Sequence, residues 1–219
     1  IADKIVILMF LDVCATHALL AKGKLLHVHT IITAGQCDVA IGTALINMYG
    51  RCGSIENAKE IFSGLTYRNL LTFTCMISMF AQHGHDRDAT LLFHRMHDKG
   101  LLPDKVTYTS ILCACGHGGL ISDGVTHLLN MEILHGIIPV PDHLNCIIDL
   151  LGKAGQLDRA SNLIRNMPFQ PTAMSWTILL DGYRRISGVG CANHLLNFLL
   201  EVDMQDAATY VTLSNICVI

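Results

Sequence analysis

The sequence predicts an all-α protein built from stacked helix–turn–helix units, and an internal repeat is the main reason. Four segments of sixteen residues align with one another: 47–62, 78–93, 113–128 and 149–164. In each of them, apolar residues at helical spacing are followed by a glycine at the seventh place. Recurrence at intervals of 31, 35 and 36 residues is typical of proteins whose repeats stack on their neighbours.

Each aligned glycine marks the predicted turn between the two helices of a unit. Glycine readily takes the left-handed backbone conformation that ends a helix, because it has no Cβ atom. The four turn glycines are Gly53, Gly84, Gly119 and Gly155. Ser54 follows the first of them, and serine is a favoured N-cap residue, so we expect it to cap the next helix.

A tiny residue and a large apolar residue define the buried face of each second helix. The tiny residue comes five places after the glycine and the apolar residue four places later, so both lie on one face. Because one helix pair cannot bury this face alone, neighbouring pairs must stack. The tiny and apolar residues are Ala58 and Phe62, Ala89 and Phe93, Gly124 and Leu128, and Ala160 and Ile164. Two degenerate flanking copies have Gly23 and Ala192 at the tiny place, and Ala18 and Ser187 at the turn.

Composition favours a large buried core and shows no basic field for nucleic acid. The chain has 219 residues, of which 51% are hydrophobic and 15% charged, and its formal net charge is −3. The apolar stretch 5–21 is short for a membrane span and is interrupted by Asp12, Thr16 and His17. We therefore expect no membrane segment, and any binding of nucleic acid must depend on local geometry.

The cysteines and histidines show no pattern of a disulfide framework or a metal site. Nine cysteines is an odd number and no two have C-x-x-C spacing, so we interpret them as reduced, small core residues of an intracellular protein. The closest histidine pairs, at 27 and 29, 83 and 85, and 94 and 97, lack a carboxylate and a third ligand at suitable spacing. We expect neither a metal nor another cofactor.

Beyond the repeat itself, the sequence resembles the PLS class of plant pentatricopeptide repeat proteins. The resemblance is carried by TALINMYGRCGSIENAKEIF, MISMFAQHGHDRDATLLFHRMHDKGLLPD, TSILCACGHGGLISDG and IIDLLGKAGQLDRASNLIRNMPFQP. SWTILLDGYRR and AATYVTLSNI resemble the E motifs that follow such repeats. The resemblance implies a right-handed superhelical α-solenoid, with repeats at 4–38, 39–69, 70–104, 105–140 and 141–172 and a truncated E region at 173–219.

In that family each repeat binds one nucleotide of single-stranded RNA. The resemblance implies that the fifth and last residues of a repeat read the edge of the base, while the second residue packs against its face. For repeat 39–69 the reading pair is Thr43 and Asn69, which implies adenine. For repeat 70–104 the pair is Thr74 and Asp104, which implies guanine.

The other repeats match the family pattern less closely. In repeat 141–172 the pair is Asn145 and Thr172, in which asparagine favours a pyrimidine but threonine departs from the usual Asp or Asn. The long repeats match no clear code, with Leu8 and Asp38 in the first and Thr109 and Val140 in the second. The second-place residues are the apolar Ala40, Leu71 and Val106 and the acidic Asp142.

The resemblance implies a specificity factor for cytidine-to-uridine editing of organelle transcripts, in a mitochondrion or a chloroplast. Its repeats would choose the RNA site, and its E region would contact a deaminase or an editing accessory protein. The sequence lacks the H-x-E and P-C-x-x-C signature of zinc nucleobase deaminases, so we expect no catalysis by this chain. Two alternatives stay open: an organelle RNA processing or stability factor, and a protein-binding scaffold of tetratricopeptide type, which keeps a regular period of about 34 residues.

Overall fold

The computed structural model describes residues 4–34 and 38–185, and these residues form helices, turns and loops without a β-strand. The described helices are α1 (Lys4–Thr16), α2 (Leu20–Ala34), α3 (Val39–Arg51), α4 (Ile55–Gly64), α5 (Leu70–Gln82), α6 (Asp86–Asp98), α7 (Lys105–Gly118), α8 (Ile121–Ile133), α9 (Pro141–Lys153), α10 (Leu157–Arg165) and α11 (Ala173–Arg185). None of them is both long and apolar enough to cross a membrane. The predicted E-region residues after 185, including Ser187 and Ala192, lie outside the described residues.

The helices form pairs joined by tight turns, and the chain divides into two compact units after Ala114. In the first unit α1 packs on α3 and α3 on α5, while α2, α4 and α6 each pack on the first helix of their own pair. In the second unit α9 packs on both α10 and α11. Within each unit, first helices of consecutive pairs therefore lie side by side, which confirms the predicted all-α helical-repeat fold. The division into long, short and standard repeats stays a prediction.

The turns have the backbone conformation that the glycine pattern predicts. Gly53, Gly84, Gly119 and Gly155 have φ between 66° and 73°. Ala18, which replaces glycine in the first pair, also has a positive φ, at 52°. In each turn a backbone N–H donates to the carbonyl five residues earlier, as from Ser54 to Tyr49 at 2.8 Å.

The prediction for Ser54 is confirmed for its position but not for its side chain. Ser54 does occupy the N-cap position of α4, but its side chain makes no capping hydrogen bond. Its ψ angle of 69° is far from the extended conformation that directs a cap oxygen at the helix N-terminus. Instead, Ser54 Oγ accepts a hydrogen bond from Asn57 Nδ2 at 2.6 Å.

The tiny residues of the second helices allow close contact between helices. Ala58, Ala89 and Ala160 have no exposed surface. A Cβ atom on Gly124 would lie 2.7 Å from Leu150 Cδ2, and a Cβ atom on Gly23 would collide with Met48. The large apolar partners Phe62, Phe93 and Ile164 are buried as predicted, whereas Leu128 is half-buried.

The interpretation of the cysteines as core residues holds in part. Among the described cysteines, Cys14 and Cys115 are buried, whereas Cys52, Cys75, Cys113 and Cys146 are half-buried. All six are free thiols. Trp176, in the first turn of α11, is also buried.

Candidate nucleic-acid interface

The third residue of one repeat joins the two predicted base-reading residues of the repeat before it. Thr72 Oγ1 lies 2.9 Å from Thr43 Oγ1 and 2.9 Å from Asn69 Oδ1. The backbone N–H of Thr72 also donates to Asn69 Oδ1, at 3.0 Å. The fifth and last residues of repeat 39–69, which are distant in sequence, therefore meet at one hydroxyl group.

The same arrangement recurs at the guanine-type pair. Thr107 Oγ1 lies 2.7 Å from Thr74 Oγ1 and 2.8 Å from Asp104 Oδ1. The backbone N–H of Thr107 donates to the same Asp104 oxygen at 2.8 Å.

The second unit has a variant of this arrangement built on serine. Ser175 Oγ donates to Asn145 Oδ1 at 2.7 Å and lies 3.1 Å from Thr172 Oγ1. Thr172 Oγ1 also accepts a hydrogen bond from the backbone N–H of Ser175, at 3.3 Å. We call the three residues that join a reading pair, Thr72, Thr107 and Ser175, the bridging residues.

Helix capping explains why the last residue of each repeat lies here. Asn69 is the N-cap of α5, with an extended backbone at φ −95° and ψ 178°. From that position its side-chain oxygen reaches the N–H of the third helical residue, which is one of the donors that a helix N-terminus leaves unsatisfied. The capping bond fixes the last-place side chain next to the start of the following first helix.

The two kinds of reading residue differ strongly in exposure. The fifth-place residues Thr43, Thr74 and Asn145 keep 4–7% of their surface exposed. Of the last-place residues, Asn69 and Thr172 are half-buried and Asp104 is exposed. The sequence predicts polar side chains presented to a ligand, whereas the structure places the fifth-place residues in the contact between successive first helices. The packing of those helices covers them, and the last-place residue borders solvent.

Hydrogen bonding within the protein decides which atom each last-place residue can offer to a ligand. Asn69 Oδ1 accepts two bonds from Thr72, so the amide group left to face outward is the donor Nδ2. Asp104 Oδ1 accepts two bonds from Thr107, so the atom left is the acceptor Oδ2. The same capping geometry therefore presents a donor in one repeat and an acceptor in the next.

The fifth-place residues are limited in the same way. Thr43 Oγ1 donates its proton to the carbonyl of Val39 at 2.7 Å, so toward a ligand this oxygen acts as an acceptor. Asn145 Oδ1 already accepts a bond from Ser175, so its Nδ2 donors are the groups available to a ligand.

Apolar second-place residues lie exposed at the start of the first helices. Leu71 and Val106 are each 60% exposed, and Ala40 is exposed as well. Met174, at the second place of the predicted E region, is also 60% exposed. Sequence reasoning missed Met174, although its position two residues after Thr172 was the available signal.

The first long repeat differs from this arrangement at its last place. Asp38 caps α3 by accepting from the Ile41 N–H at 2.9 Å, and it forms an ion pair with Lys4. Partial burial raises the pKa of this carboxyl, but the Ile41 hydrogen bond and the Lys4 ammonium outweigh it and hold the pKa below its ordinary value. Ile41, at the third place, carries no polar side chain.

The second long repeat differs as well. Thr109 Oγ1 donates to the carbonyl of Lys105 at 3.0 Å. At the last place, the Val140 N–H donates to Nδ1 of the buried His143 at 3.0 Å, so histidine here takes the place of a hydroxyl. The valine side chain offers no polar atom to a base edge.

Paired helices whose first members stack side by side define the class of helical-repeat proteins. Matches to family models define the kind of repeat: the PPR repeat family matches residues 68–117, and the PPR repeat matches residues 43–70 and 143–169. The chain belongs to the pentatricopeptide repeat family.

Curated plant relatives match along nearly the whole chain. The mitochondrial pentatricopeptide repeat-containing protein At2g03880 of Arabidopsis thaliana is 39% identical over 99% of this chain and 34% of its own length. The chloroplastic protein At3g49170 of the same species is 37% identical over 89% of this chain and 23% of its own length. The chain thus spans about a third or less of these two relatives. Their compartments agree with the localisation predicted from the sequence, a mitochondrion or a chloroplast.

Solved structures share the fold. The pentatricopeptide repeat protein PPR10, in complex with an 18-nt psaJ RNA element, matches with a TM-score of 0.71 at 22% identity, over 96% of this chain and 30% of that one. The PPR domain of Arabidopsis thaliana protein-only RNase P 1, in complex with tRNA, matches with a TM-score of 0.57 at 12% identity, over 88% of this chain and 96% of that one.

Proposed function

We propose that this chain binds single-stranded RNA and selects bases through the pairs Thr43 with Asn69 and Thr74 with Asp104. The observation that carries the proposal is the set of hydrogen-bonding groups that each pair leaves for a ligand. The first pair offers one acceptor and one donor, and the second offers the acceptor Oδ2 of Asp104 beside the Thr74 hydroxyl. The solved complexes of PPR10 with RNA and of the RNase P 1 PPR domain with tRNA support an RNA ligand.

Adenine fits the first pair. Its Watson–Crick edge carries the N6 amino donor next to the N1 acceptor, which complements the Thr43 acceptor and the Asn69 Nδ2 donor. Cytosine has the same order of donor and acceptor, but its single ring is shorter. We therefore expect adenine to be preferred and cytosine to be the strongest competitor.

Guanine fits the second pair, because its N1–H and N2 amino groups are adjacent donors. The exposed Asp104 carboxylate accepts one of them in a charge-assisted bond, which is stronger than a neutral one. Adenine would place its N1 lone pair against the carboxylate, and uracil has one N–H on this edge. In the second unit, the Nδ2 donors of Asn145 complement the carbonyl oxygens of a pyrimidine.

The exposed second-place residues supply the other contact that a base needs. Leu71 and Val106 open the first helices of repeats 70–104 and 105–140 and present apolar surface to solvent. Base faces bury well against such side chains, and contacts of this kind do not depend on base identity. Asp142 offers no such surface, so we expect repeat 141–172 to hold its base weakly.

We expect weak binding overall, because two or three readable bases provide the specific contacts. Each good base contact is worth about 1–3 kcal/mol, and ordering a flexible strand costs part of that. With a net charge of −3 the chain has no excess of cations to bind phosphates. Tight binding would then require further repeats.

The proposed biological role is site selection for cytidine-to-uridine editing of organelle transcripts, with the E region contacting a deaminase or an accessory protein. Site selection for RNA processing or stabilisation would use the same surface and remains the alternative. The proposal assigns binding to this chain and catalysis to a partner or another domain. Sequencing of a cytidine-containing RNA after incubation with the chain should therefore show no conversion, and conversion would contradict this assignment.

The binding proposal is tested by fluorescence anisotropy with short RNAs of uniform uridine that carry adenine and guanine at adjacent positions, in either order. The RNA with the purines in one of these orders should bind at least about fivefold more tightly than uniform uridine. Replacing either purine with uridine should remove the part of this gain in affinity that the purine provides. Asn69→Asp exchanges an outward donor for an acceptor and should shift the first preference toward guanine. Asp104→Asn should shift the second toward adenine.

Asn166→Asp is the matched control for Asn69→Asp. Asn166 is exposed at the end of α10, so this change adds the same negative charge without touching a reading pair. It should lower affinity for all RNAs equally. Tight binding that ignores both purines would overturn the proposal.

A further inference from the structure

We propose that Thr107, a buried residue, determines base specificity at the second reading pair by fixing the direction in which the Thr74 hydroxyl donates. The inference rests on the proposed RNA-binding function and deepens it. Thr107 has no exposed surface, so it acts through Thr74 and Asp104 and is a positioning residue.

The direction of donation follows from the carboxylate at one end of the network. An ionised carboxylate accepts hydrogen bonds and cannot donate, so the 2.8 Å contact between Thr107 and Asp104 uses the Thr107 proton. The 2.7 Å contact between Thr74 and Thr107 must then use the Thr74 proton. Thr74 is left with lone pairs and no proton, so toward a base it is an acceptor.

In the first reading pair, Thr43 is also an acceptor toward a base, but its proton is used by a different partner. Thr43 donates to the carbonyl of Val39, and this bond lies within its own helix. Its contact with Thr72 is therefore not needed to make Thr43 an acceptor. Among the described residues, the structure places no such carbonyl against the Thr74 hydroxyl, whose partner is Thr107.

Removal of the two bridging hydroxyls should consequently have different effects. In Thr107→Val, Asp104 keeps the hydrogen bond from the backbone N–H of residue 107, but the Thr74 hydroxyl loses its acceptor and can rotate. A rotating hydroxyl no longer holds its lone pairs toward the base, so guanine loses a fixed acceptor and its advantage over adenine shrinks. In Thr72→Val, Thr43 still donates to Val39 and Asn69 still caps the helix.

The experiment measures the ratio of affinities for guanine and adenine at the nucleotide of repeat 70–104, with the rest of the RNA held constant. For Thr107→Val this ratio should fall by about threefold to tenfold, the worth of one hydrogen bond. Thr107→Ser, which restores the hydroxyl, should recover it. Thr72→Val is the matched control, since valine has the same shape and Thr72 is equally buried; its adenine preference should change less than about twofold.

A ratio separates specificity from stability, because loss of folded protein lowers the affinity for both RNAs alike. If the unmodified chain does not prefer guanine, the proposed function fails at this nucleotide and the inference fails with it. If the unmodified chain prefers guanine and Thr107→Val keeps the ratio, the inference fails and the proposed function stands.

A second variant removes the acceptor itself and keeps the test informative if Thr107→Val folds poorly. Thr74→Val should lower the guanine-to-adenine ratio as Thr107→Val does, and the double variant should lower it no further, because both act through one hydroxyl. Independent, additive losses would overturn the inference. Inosine lacks the N2 amino group, from which the Thr74 hydroxyl would accept a hydrogen bond. The unmodified chain should therefore bind inosine less tightly than guanosine, whereas Thr74→Val should bind the two almost equally.

Discussion

Replacing Ala18 with glycine should stabilise the protein. Ala18 has φ at 52°, in the left-handed region, where the other described turns between paired helices have glycine. This conformation costs an L-residue about 1–2 kcal/mol, because its Cβ atom crowds the following carbonyl oxygen. Glycine removes that strain, but it also makes the unfolded chain more flexible, which lowers stability by about 0.4–1 kcal/mol. The net gain should be about 0.5–1 kcal/mol.

The assay is urea unfolding followed by circular dichroism, with thermal unfolding as a second measurement. In a chain of 219 residues, a gain of this size raises Tm by about 1–4 °C. Because Ala18 is exposed, the loss of its methyl group removes little packing. The midpoint in urea should rise with an unchanged slope.

The matched control reverses the substitution at an equivalent turn. A Cβ atom on Gly53 would meet nothing within 4 Å, so Gly53→Ala changes backbone strain without causing a clash. It should destabilise the chain by about 0.5–1 kcal/mol. If both Ala18→Gly and Gly53→Ala lower stability, then Ala18 has contacts that outweigh its backbone strain. That result would refute the argument that strain at Ala18 limits stability.

Three further predictions concern packing, exposure and pH. Gly182→Ala should lower the free energy of unfolding more than Gly124→Ala does. A Cβ atom at residue 182 would lie 3.2 Å from the Gly152 backbone, which cannot move easily, whereas the Leu150 side chain that faces Gly124 can. Equal losses in urea unfolding would contradict this prediction. Leu71→Ser should weaken RNA binding in the anisotropy assay without changing Tm, since Leu71 is 60% exposed, and a fall in Tm would show that it packs instead. Burial raises the pKa of Tyr108 to about 12, so the stability that this tyrosine contributes below its ordinary pKa of 10.0 should be lost as the pH rises through 12. In urea unfolding, Tyr108→Phe should lose less stability over this range. An identical pH profile for the variant would exclude Tyr108 as the source of the loss.

The fold could be predicted from the sequence because its decisive features are local. A glycine seven places into each segment fixes the turn, and the tiny residue five places later fixes the buried helix face. Even Ala18, which lacks the glycine signal, takes the predicted turn conformation because the flanking helices require it. Ser54 occupies the predicted N-cap position, but its ψ angle after the left-handed Gly53 is unsuited to side-chain capping, and residue identity does not report that angle.

The chemistry of the reading pairs was less predictable, because it depends on bonds between different repeats. The sequence identifies Thr43 and Thr74 at equivalent places but does not show that Val39 takes the proton of one and Thr107 that of the other. The hydroxyl residues three places after Asn69, Asp104 and Thr172 were a visible signal for the bridges. The short distances from these hydroxyl groups to the fifth-place residues identify them as bridges.

Burial also separates the reading places by how freely they can change. A fifth-place residue such as Thr43 lies in the contact between α3 and α5, so a larger side chain there has to displace Thr72 and strain the stacking of two helices. A last-place residue such as Asp104 is exposed, and asparagine keeps the Oδ1 cap while changing the outward atom from acceptor to donor. Base preference in this array should therefore be altered at low cost to stability at the last place. At the fifth place, each change of preference should also change the stability of the stacked helices.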